Sequence, residues 1–326
     1  MSKFLKIILI SVSFIVVLLI GGLIYVSTAL PDVGPAAENF KVEISPEKIE
    51  RGKYLANHVM LCIDCHSKRD FSLFSAPPIP GTEAAGGERF DHSMGFPGVF
   101  VSPNITPAGI GDYTDGELFR LITTGVKKDG NPIFPVMPYT SYGKLDTEDI
   151  EAVIAYIRSL DPNPTENQAS KADFPVNLIM RTMPVEASLT SRPPASDAVA
   201  YGKYLTTASA CADCHTNFEN GSYIGEPLAG GRSFLFPDGS VLNSANLTPH
   251  ETGLKSWSKA QFIERFKMYE NAENISKLRP GEMQTIMPWA MYAGMSREDL
   301  GAIYDYLRSL DPVDNAVTKF IAKENS

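Results

Sequence analysis

Three features of the sequence predict a mainly α-helical protein, with a hydrophobic N-terminal helix followed by two copies of one small helical bundle. The first is an uncharged run of 23 residues from Ile7 to Ala29, IILISVSFIVVLLIGGLIYVSTA. The second is internal repetition at an offset of about 150 residues. RGKYLANHVMLCIDCH (Arg51 to His66) matches YGKYLTTASACADCH (Tyr201 to His215), and NITP (Asn104 to Pro107) matches NLTP (Asn246 to Pro249). MPYTSYGKLDTEDIEAVIAYIRSLDP (Met137 to Pro162) matches MPWAMYAGMSREDLGAIYDYLRSLDP (Met287 to Pro312) without a gap. The third is that each copy carries helix caps and helical periodicity, with little that reads as strand.

The leading segment, residues 1–30, has the length and composition of a membrane anchor. At 1.5 Å per residue the uncharged run covers a hydrocarbon core of ~30 Å. Lys3 and Lys6 precede it and an acidic stretch follows, so the positive-inside rule places residues 31–326 on the extracytoplasmic, periplasmic side of the inner membrane. The competing reading is a cleaved signal peptide with Ser27-Thr28-Ala29 as its small-residue site, but such peptides have shorter apolar cores of about 7–15 residues.

Each unit opens and closes on a helix. Ser45-Pro46-Glu47 supplies an N-cap, a proline at the first helical position and an acid in the first turn, and Ser196 is expected to cap the counterpart. Asp146 and Ser296 read as caps of the terminal helices, and Ser296 with Asp299 resembles a capping box. Apolar residues then recur at Ile150, Val153, Ile154 and Ile157, and at Leu300, Ile303, Tyr304 and Leu307. Gly52 and Gly202 fall mid-helix, where glycine costs up to about 1 kcal/mol relative to alanine. A close helix crossing against Tyr156 and Tyr306 is the expected reason. The units are expected at residues 45–162 and 196–314, with a Pro-rich segment at 163–195 and a tail at 315–326. The apolar island from Phe174 to Met180 suggests that the segment between them is a strap packed along both units. A net charge of −9 and a pI near 5.2 argue against a nucleic-acid partner.

The four cysteines carry the chemistry. Cys62, Cys65 and His66 stand as C-x-x-C-H, and so do Cys211, Cys214 and His215, with no cysteine left over. This is the attachment pattern of a c-type haem: two thiols add to the porphyrin vinyl groups, and the adjacent imidazole lies under the iron. A thioredoxin-like dithiol, half a zinc site or a structural disulfide would not require the adjoining histidine. The two pairs also lie 149 positions apart, too far for one zinc ribbon of about 15–20 intervening residues.

A six-coordinate haem needs a second axial ligand, and a loop methionine commonly supplies it. Met137 lies 71 residues after His66 and Met287 lies 72 after His215, each just before a terminal helix. Met183, in the third Met-Pro dipeptide, has no counterpart. Pro78 and Pro227 each fall 12 residues after their histidine, and their carbonyls are candidates to accept the second imidazole N–H. Of the remaining histidines, His58 should be carried away from the distal face by its helix, and His92 and His250 read as solvated loop residues.

Taken together, the C-x-x-C-H motifs, the Asn-[Ile/Leu]-Thr-Pro segments, the Met-Pro loops and FPVNLIMR resemble a membrane-anchored dihaem cytochrome c with two tandem class I cytochrome c domains. The chain is similar to the cytochrome subunits of periplasmic alcohol and sugar-acid dehydrogenases, over about Ser45 to Pro312. The resemblance implies two covalently attached haem c groups, with His66 and Met137 as one axial pair and His215 and Met287 as the other. One departure is that many such domains have Trp where the first unit has Tyr113, whereas the second keeps Trp257. The implied function is electron transfer rather than catalysis. Electrons would pass between a dehydrogenase or quinol-oxidising complex and a downstream soluble cytochrome or oxidase, and Met/His ligation would set a high potential. The alternative is a dihaem cytochrome c peroxidase, which needs one open distal site and hence asymmetry between the units.

Overall fold

The computed structural model describes residues 2–219 and 221–323. The uncharged run lies in one helix, α1 (Lys3–Ala29), whose N-terminus is capped by the Ser2 hydroxyl. It is about 40 Å long at 1.5 Å per residue, its most apolar window has a mean hydropathy of 3.1, and none of its residues is buried. Among the described residues it is the one helix long and apolar enough to cross a membrane.

Beyond α1 the chain runs through the same helices twice. The first unit contains α2 (Pro46–Tyr54), α3 (Asp115–Thr124) and α4 (Thr147–Ser159). The second contains α5 (Ala198–Ala208), α6 (Lys259–Lys267) and α7 (Arg297–Arg308). The opening helix of each unit packs on its terminal helix, α2 on α4 and α5 on α7. The glycines allow this. A Cβ at Gly52 would overlap the carbonyl oxygen of Ala152 and come to 2.8 Å from Tyr156 Cβ; one at Gly202 would overlap the Ala302 carbonyl and come to 3.0 Å from Tyr306 Cβ. Ile150, Val153, Ile154 and Ile157 are buried on the terminal helix of the first crossing, and Leu300, Ile303 and Leu307 on that of the second.

Among the described residues eight strands of two to four residues accompany the helices. β1 (Arg89–Phe90), β2 (Gly98–Val101) and β3 (Lys171–Ala172) form one antiparallel sheet; β4 (Phe218–Glu219) and β5 (Ser222–Tyr223) form a hairpin; β6 (Ser233–Leu235), β7 (Val241–Asn243) and β8 (Phe320–Ile321) form a second sheet. Segments this short cannot establish a period-two pattern, so they leave little trace in the sequence. In both three-stranded sheets the last strand comes from residues that follow a terminal helix.

The strap does not lie along both units as expected. Its island tucks Met180 against Phe90 and Phe100, while Phe174 remains 80% exposed. Ser188 N donates to Gly143 O, Thr190 Oγ1 to Lys144 O and Arg192 N to Asp146, all in the first unit, and Arg181 Nε donates to Val26 O of α1. The open edge of β2 captures Lys171–Ala172 and sets this course.

Two caps also differ from expectation. Asp197, not Ser196, caps α5 by accepting from Ala200 N at 3.1 Å, because its carboxylate stands one residue closer to the first turn. Ser296 accepts from Asp299 N as a cap should, but the reciprocal half of the box is taken by the other unit: Tyr54 Oη donates to Asp299 Oδ2 at 2.6 Å and accepts from Ser296 N at 3.0 Å. The exchange is mutual. Tyr204 Oη donates to Asp149 Oδ2 at 2.7 Å and accepts from Asp146 N at 3.1 Å. Each opening helix thus completes the N-terminus of the other unit's terminal helix.

His58 adds a third bridge between the units, with Nδ1 2.9 Å from Met291 O. Burial lowers its pKa; the Met291 carbonyl and Glu270 oppose that shift, whereas Lys267 and Lys53 reinforce it. A neutral histidine depressed in the folded state contributes stability that is complete above its unfolded pKa of about 6.5 and is lost as the pH falls below it. Thermal unfolding of the solubilised protein between pH 7.5 and 5.5 should therefore show a fall in Tm that is smaller in His58→Gln; an equal slope would contradict this. Gly52→Ala and Gly202→Ala, which would stabilise an open helix face, should instead each cost about 1–3 kcal/mol by overpacking the crossing. Circular-dichroism melts give the sign directly.

Candidate haem-attachment sites

Each C-x-x-C-H motif begins on a left-handed residue without glycine: Leu61 has φ 57° and Ala210 has φ 49°. Ahead of Leu61 the helix widens into a π-helical turn, Leu55–Val59, closed by Met60 N donating to Leu55 O at 2.7 Å. The left-handed residue then starts a fresh turn, Cys62–Cys65 in one unit and Cys211–His215 in the other. Cysteines three apart and a histidine four from the first project to one side of such a turn. No disulfide joins any of the four thiols. Burial pushes those of Cys62, Cys65 and Cys211 up to about 12, opposite to the depressed thiol of a redox-active dithiol.

The two imidazoles are held alike. His66 Nδ1 lies 2.8 Å from Pro103 O, and His215 Nδ1 lies 2.7 Å from Ala245 O. Burial lowers the pKa of both, favouring the neutral ring. A neutral ring facing a carbonyl carries its proton on Nδ1, which leaves the Nε2 lone pair for a metal.

These acceptors replace the expected ones. The Pro78 carbonyl does not receive the His66 proton, since Pro78 is drawn into a bridge with Arg69. Pro227 precedes Leu228, a left-handed residue whose N–H donates to Thr216 Oγ1, and it does not serve His215. What brings Pro103 and Ala245 into place is a pair of glycines. Gly86 N donates to His66 O and Gly230 N to His215 O, each at 2.7 Å. Both are left-handed, at φ 73° and 78°, and a Cβ would stand 2.5 Å from Pro103 C in one unit and from Ala245 C in the other. Asn104 and Asn246, buried at the head of the repeated Asn-x-Thr-Pro segments, follow directly. Their Oδ1 atoms accept from Thr106 N and Thr248 N at 2.9 Å, and their Nδ2 atoms donate at 2.8 Å to Asn163 O and Val313 O. The duplicated Gly-Gly, Gly86-Gly87 and Gly230-Gly231, was the available sequence signal for this cradle.

In the second unit Cys211, Cys214, His215 and Met287 line one cavity of about 480 Å³. Trp257, Phe262, Phe266 and Leu254 supply apolar wall. In the first unit Cys62 and Met137 pack against the same buried cluster as Tyr142 and Val153, and Tyr113 joins them. A tyrosine ties each Met-Pro loop back to the residues before its cysteines: Tyr142 Oη donates to Met60 O at 2.5 Å and Tyr292 Oη to Ser209 O at 2.8 Å. Met183 packs elsewhere, beside Phe90, Phe100 and Met180. His92, at the start of a short 3₁₀ turn (His92–Met94), has Nε2 2.6 Å from Asp173 Oδ2, and His250, in a loop, has Nδ1 3.0 Å from Thr252 Oγ1. Two thiols, a neutral imidazole and a thioether on apolar walls are the donor set that a covalently held haem needs.

Residues 199–311 match the cytochrome c family. The chain therefore carries a cytochrome c domain over these residues, and a domain of this family implies a covalently held haem c. Among similar proteins is the cytochrome c subunit of the quinone alcohol dehydrogenase of Gluconacetobacter polyoxogenes, 29% identical over 284 residues, covering 81% of this chain and 56% of the relative. The cytochrome c subunit of gluconate 2-dehydrogenase of Pantoea cypripedii is 27% identical over 292 residues, covering 83% and 62%. A dihaem c-type cytochrome of Cereibacter sphaeroides is 28% identical over 214 residues, covering 62% and 68%. The chain spans little more than half the length of the dehydrogenase subunits it matches.

Gly230→Ala tests the cradle. Gly225, at φ 74° with nothing within 4 Å of a Cβ, is its control. Gly225→Ala should cost about 1 kcal/mol for the left-handed backbone alone, and Gly230→Ala about 1–3 kcal/mol more for the collision with Ala245. Guanidinium unfolding midpoints separate the two, and equal midpoints would refute the role given to Gly230.

Proposed function

We propose that this chain is a dihaem cytochrome c that relays single electrons outside the cytoplasmic membrane. Units 45–162 and 196–314 would each be a class I cytochrome c domain, and α1 would anchor them as a single membrane span with the amino terminus inside. The observation that carries this reading is the repeated hydrogen-bond set around His66 and His215, with the same glycine, asparagine and tyrosine partners in both units. Cys62 and Cys65 would hold one haem, with His66 and Met137 as axial ligands; Cys211 and Cys214 would hold the other, with His215 and Met287. Bound haem supplies a one-electron couple, which Met/His ligation places at high potential.

The residues of this chain do the rest. The Pro103 and Ala245 carbonyls keep each imidazole oriented, the apolar walls exclude water from the second cavity, and the exchanged tyrosines keep the units in register. Relatives named as cytochrome subunits of quinone alcohol, fructose and gluconate dehydrogenases support a dehydrogenase as electron donor, and a soluble cytochrome or an oxidase would be the acceptor. On this reading the chain is an electron-transfer subunit and has no catalytic residues of its own.

Intact mass after acid-acetone extraction should retain two haem increments on the chain. The oxidised protein should be wholly low-spin with a weak far-red sulfur-to-iron band, and Met137→Ala and Met287→Ala should each remove about half of that band, whereas Met183→Ala should not. A wild-type protein with a high-spin haem that binds carbon monoxide at once and turns over peroxide would instead be a peroxidase.

A further inference from the structure

The cavity of the second unit is completed by the first. Residues 70–76 lie across residues 276–289 of the second unit: Phe74 N donates to Ser276 O at 2.9 Å, Leu278 N to Ser72 O at 2.8 Å, and Gln284 Nε2 to the carbonyls of Phe71 and Leu73 at 2.9 Å each. Phe74 stacks on Tyr269 with ring centroids 5.6 Å apart and stands in the wall of the cavity that Cys211, His215 and Met287 line.

At the end of this crossing segment Ser75 is 1% exposed and left-handed, with φ 69°. Its Oγ donates to Met287 O at 2.7 Å and accepts from Trp289 N at 2.9 Å, while its own N–H donates to Gln284 Oε1 at 3.0 Å. One hydroxyl therefore spans the backbone on both sides of Pro288, a residue with no N–H of its own to offer. A side chain other than glycine keeps such a backbone conformation only where its surroundings over-determine it.

Met137 has no such partner. Among the hydrogen bonds of the described residues, its carbonyl accepts from Tyr139 N alone, at 2.8 Å. In the second unit the segment after the histidine, which would have to make the equivalent crossing, folds on itself as the β4–β5 hairpin.

We propose that Ser75 is a positioning residue for Met287: by fixing the backbone on both sides of Pro288 it holds the Met287 sulfur in place and makes it harder to displace than that of Met137. The two sites, alike in sequence, become chemically unequal through a contact that one unit makes on the other. This rests on the assignment of Met287 as an axial ligand.

The test titrates the haem-loaded, full-length oxidised protein in detergent with imidazole, following loss of the far-red band. The wild type should lose it in two phases, and Met287→Ala should abolish the phase at higher imidazole. Ser75→Ala should move that phase to about tenfold lower imidazole, consistent with the loss of two buried hydrogen bonds, and leave the other phase unmoved. Ser75→Gly, which relieves the left-handed strain and equally lacks the hydroxyl, should do the same without loss of thermal stability. If both Ser75 variants leave the second phase in place while Met287→Ala abolishes it, the clamp is refuted and the ligand assignment stands. If the variants move both phases together, Ser75 is only structural and the proposal is refuted. If Met287→Ala changes neither phase, the ligand assignment falls and the proposal falls with it.

Discussion

A histidine that is to serve a metal through Nε2 must keep its proton on Nδ1, and in both units that proton points at a backbone carbonyl. Much of the surrounding architecture follows from supplying that carbonyl. The segment bearing it must run within a hydrogen bond of the ring, so a left-handed glycine lies against it where a Cβ would push it away. The same glycine donates to the histidine's own carbonyl, clamping the motif and the acceptor segment together. The asparagine that follows hands its amide to residues beyond the terminal helix. Those residues then continue as the third strand of each sheet. The end of each unit is thereby tied to its beginning.

The units share one buried apolar cluster and are coupled in addition by exchange. Tyr54 and Tyr204 each satisfy a backbone N–H and a carboxylate at the start of the other unit's terminal helix, groups that would otherwise face the desolvation cost of being left unpaired. This near-twofold exchange leaves room for difference. Asp149 also receives Arg51 and Arg192, whereas the residue matching Arg51 in the second unit is Tyr201. Beside the first motif, Arg69 lies buried between Asp64 and Glu88, and burial lifts Asp64 to about 6. Beside the second, Arg232 lies over the rings of Phe218 and Phe234. Charge close to the two motifs is therefore arranged differently.

What was legible in the sequence was local or repeated. The caps at Ser45, Asp146 and Ser296, the apolar stripes of the terminal helices and the glycines at their crossings depend on residues a few positions apart, or on a side chain only glycine can replace, and these stand as read. The attachment motifs and the register of the two Met-Pro loops were visible because the chemistry demands particular residue types at fixed spacing. In the second unit, four residues read from spacing alone converge on one cavity.

Tertiary structure decided which backbone groups meet. Every residue has a carbonyl, so residue type could not distinguish Pro103 and Ala245 from Pro78 and Pro227; only the path imposed by Gly86 and Gly230 did. The capping box at Ser296 was half filled by a tyrosine 242 residues away along the chain, and the Met287 loop by a serine 212 residues away. The strap followed the edge of β2, with which Lys171–Ala172 pairs. The sequence by itself determined the repeat, the helices and the chemistry of the cysteines, because these are written in side-chain type and period. The acceptors of the histidine protons, the exchange of caps and the inequality of the two methionine loops arise only when distant backbone groups are brought within about 3 Å of each other, a condition no local pattern encodes.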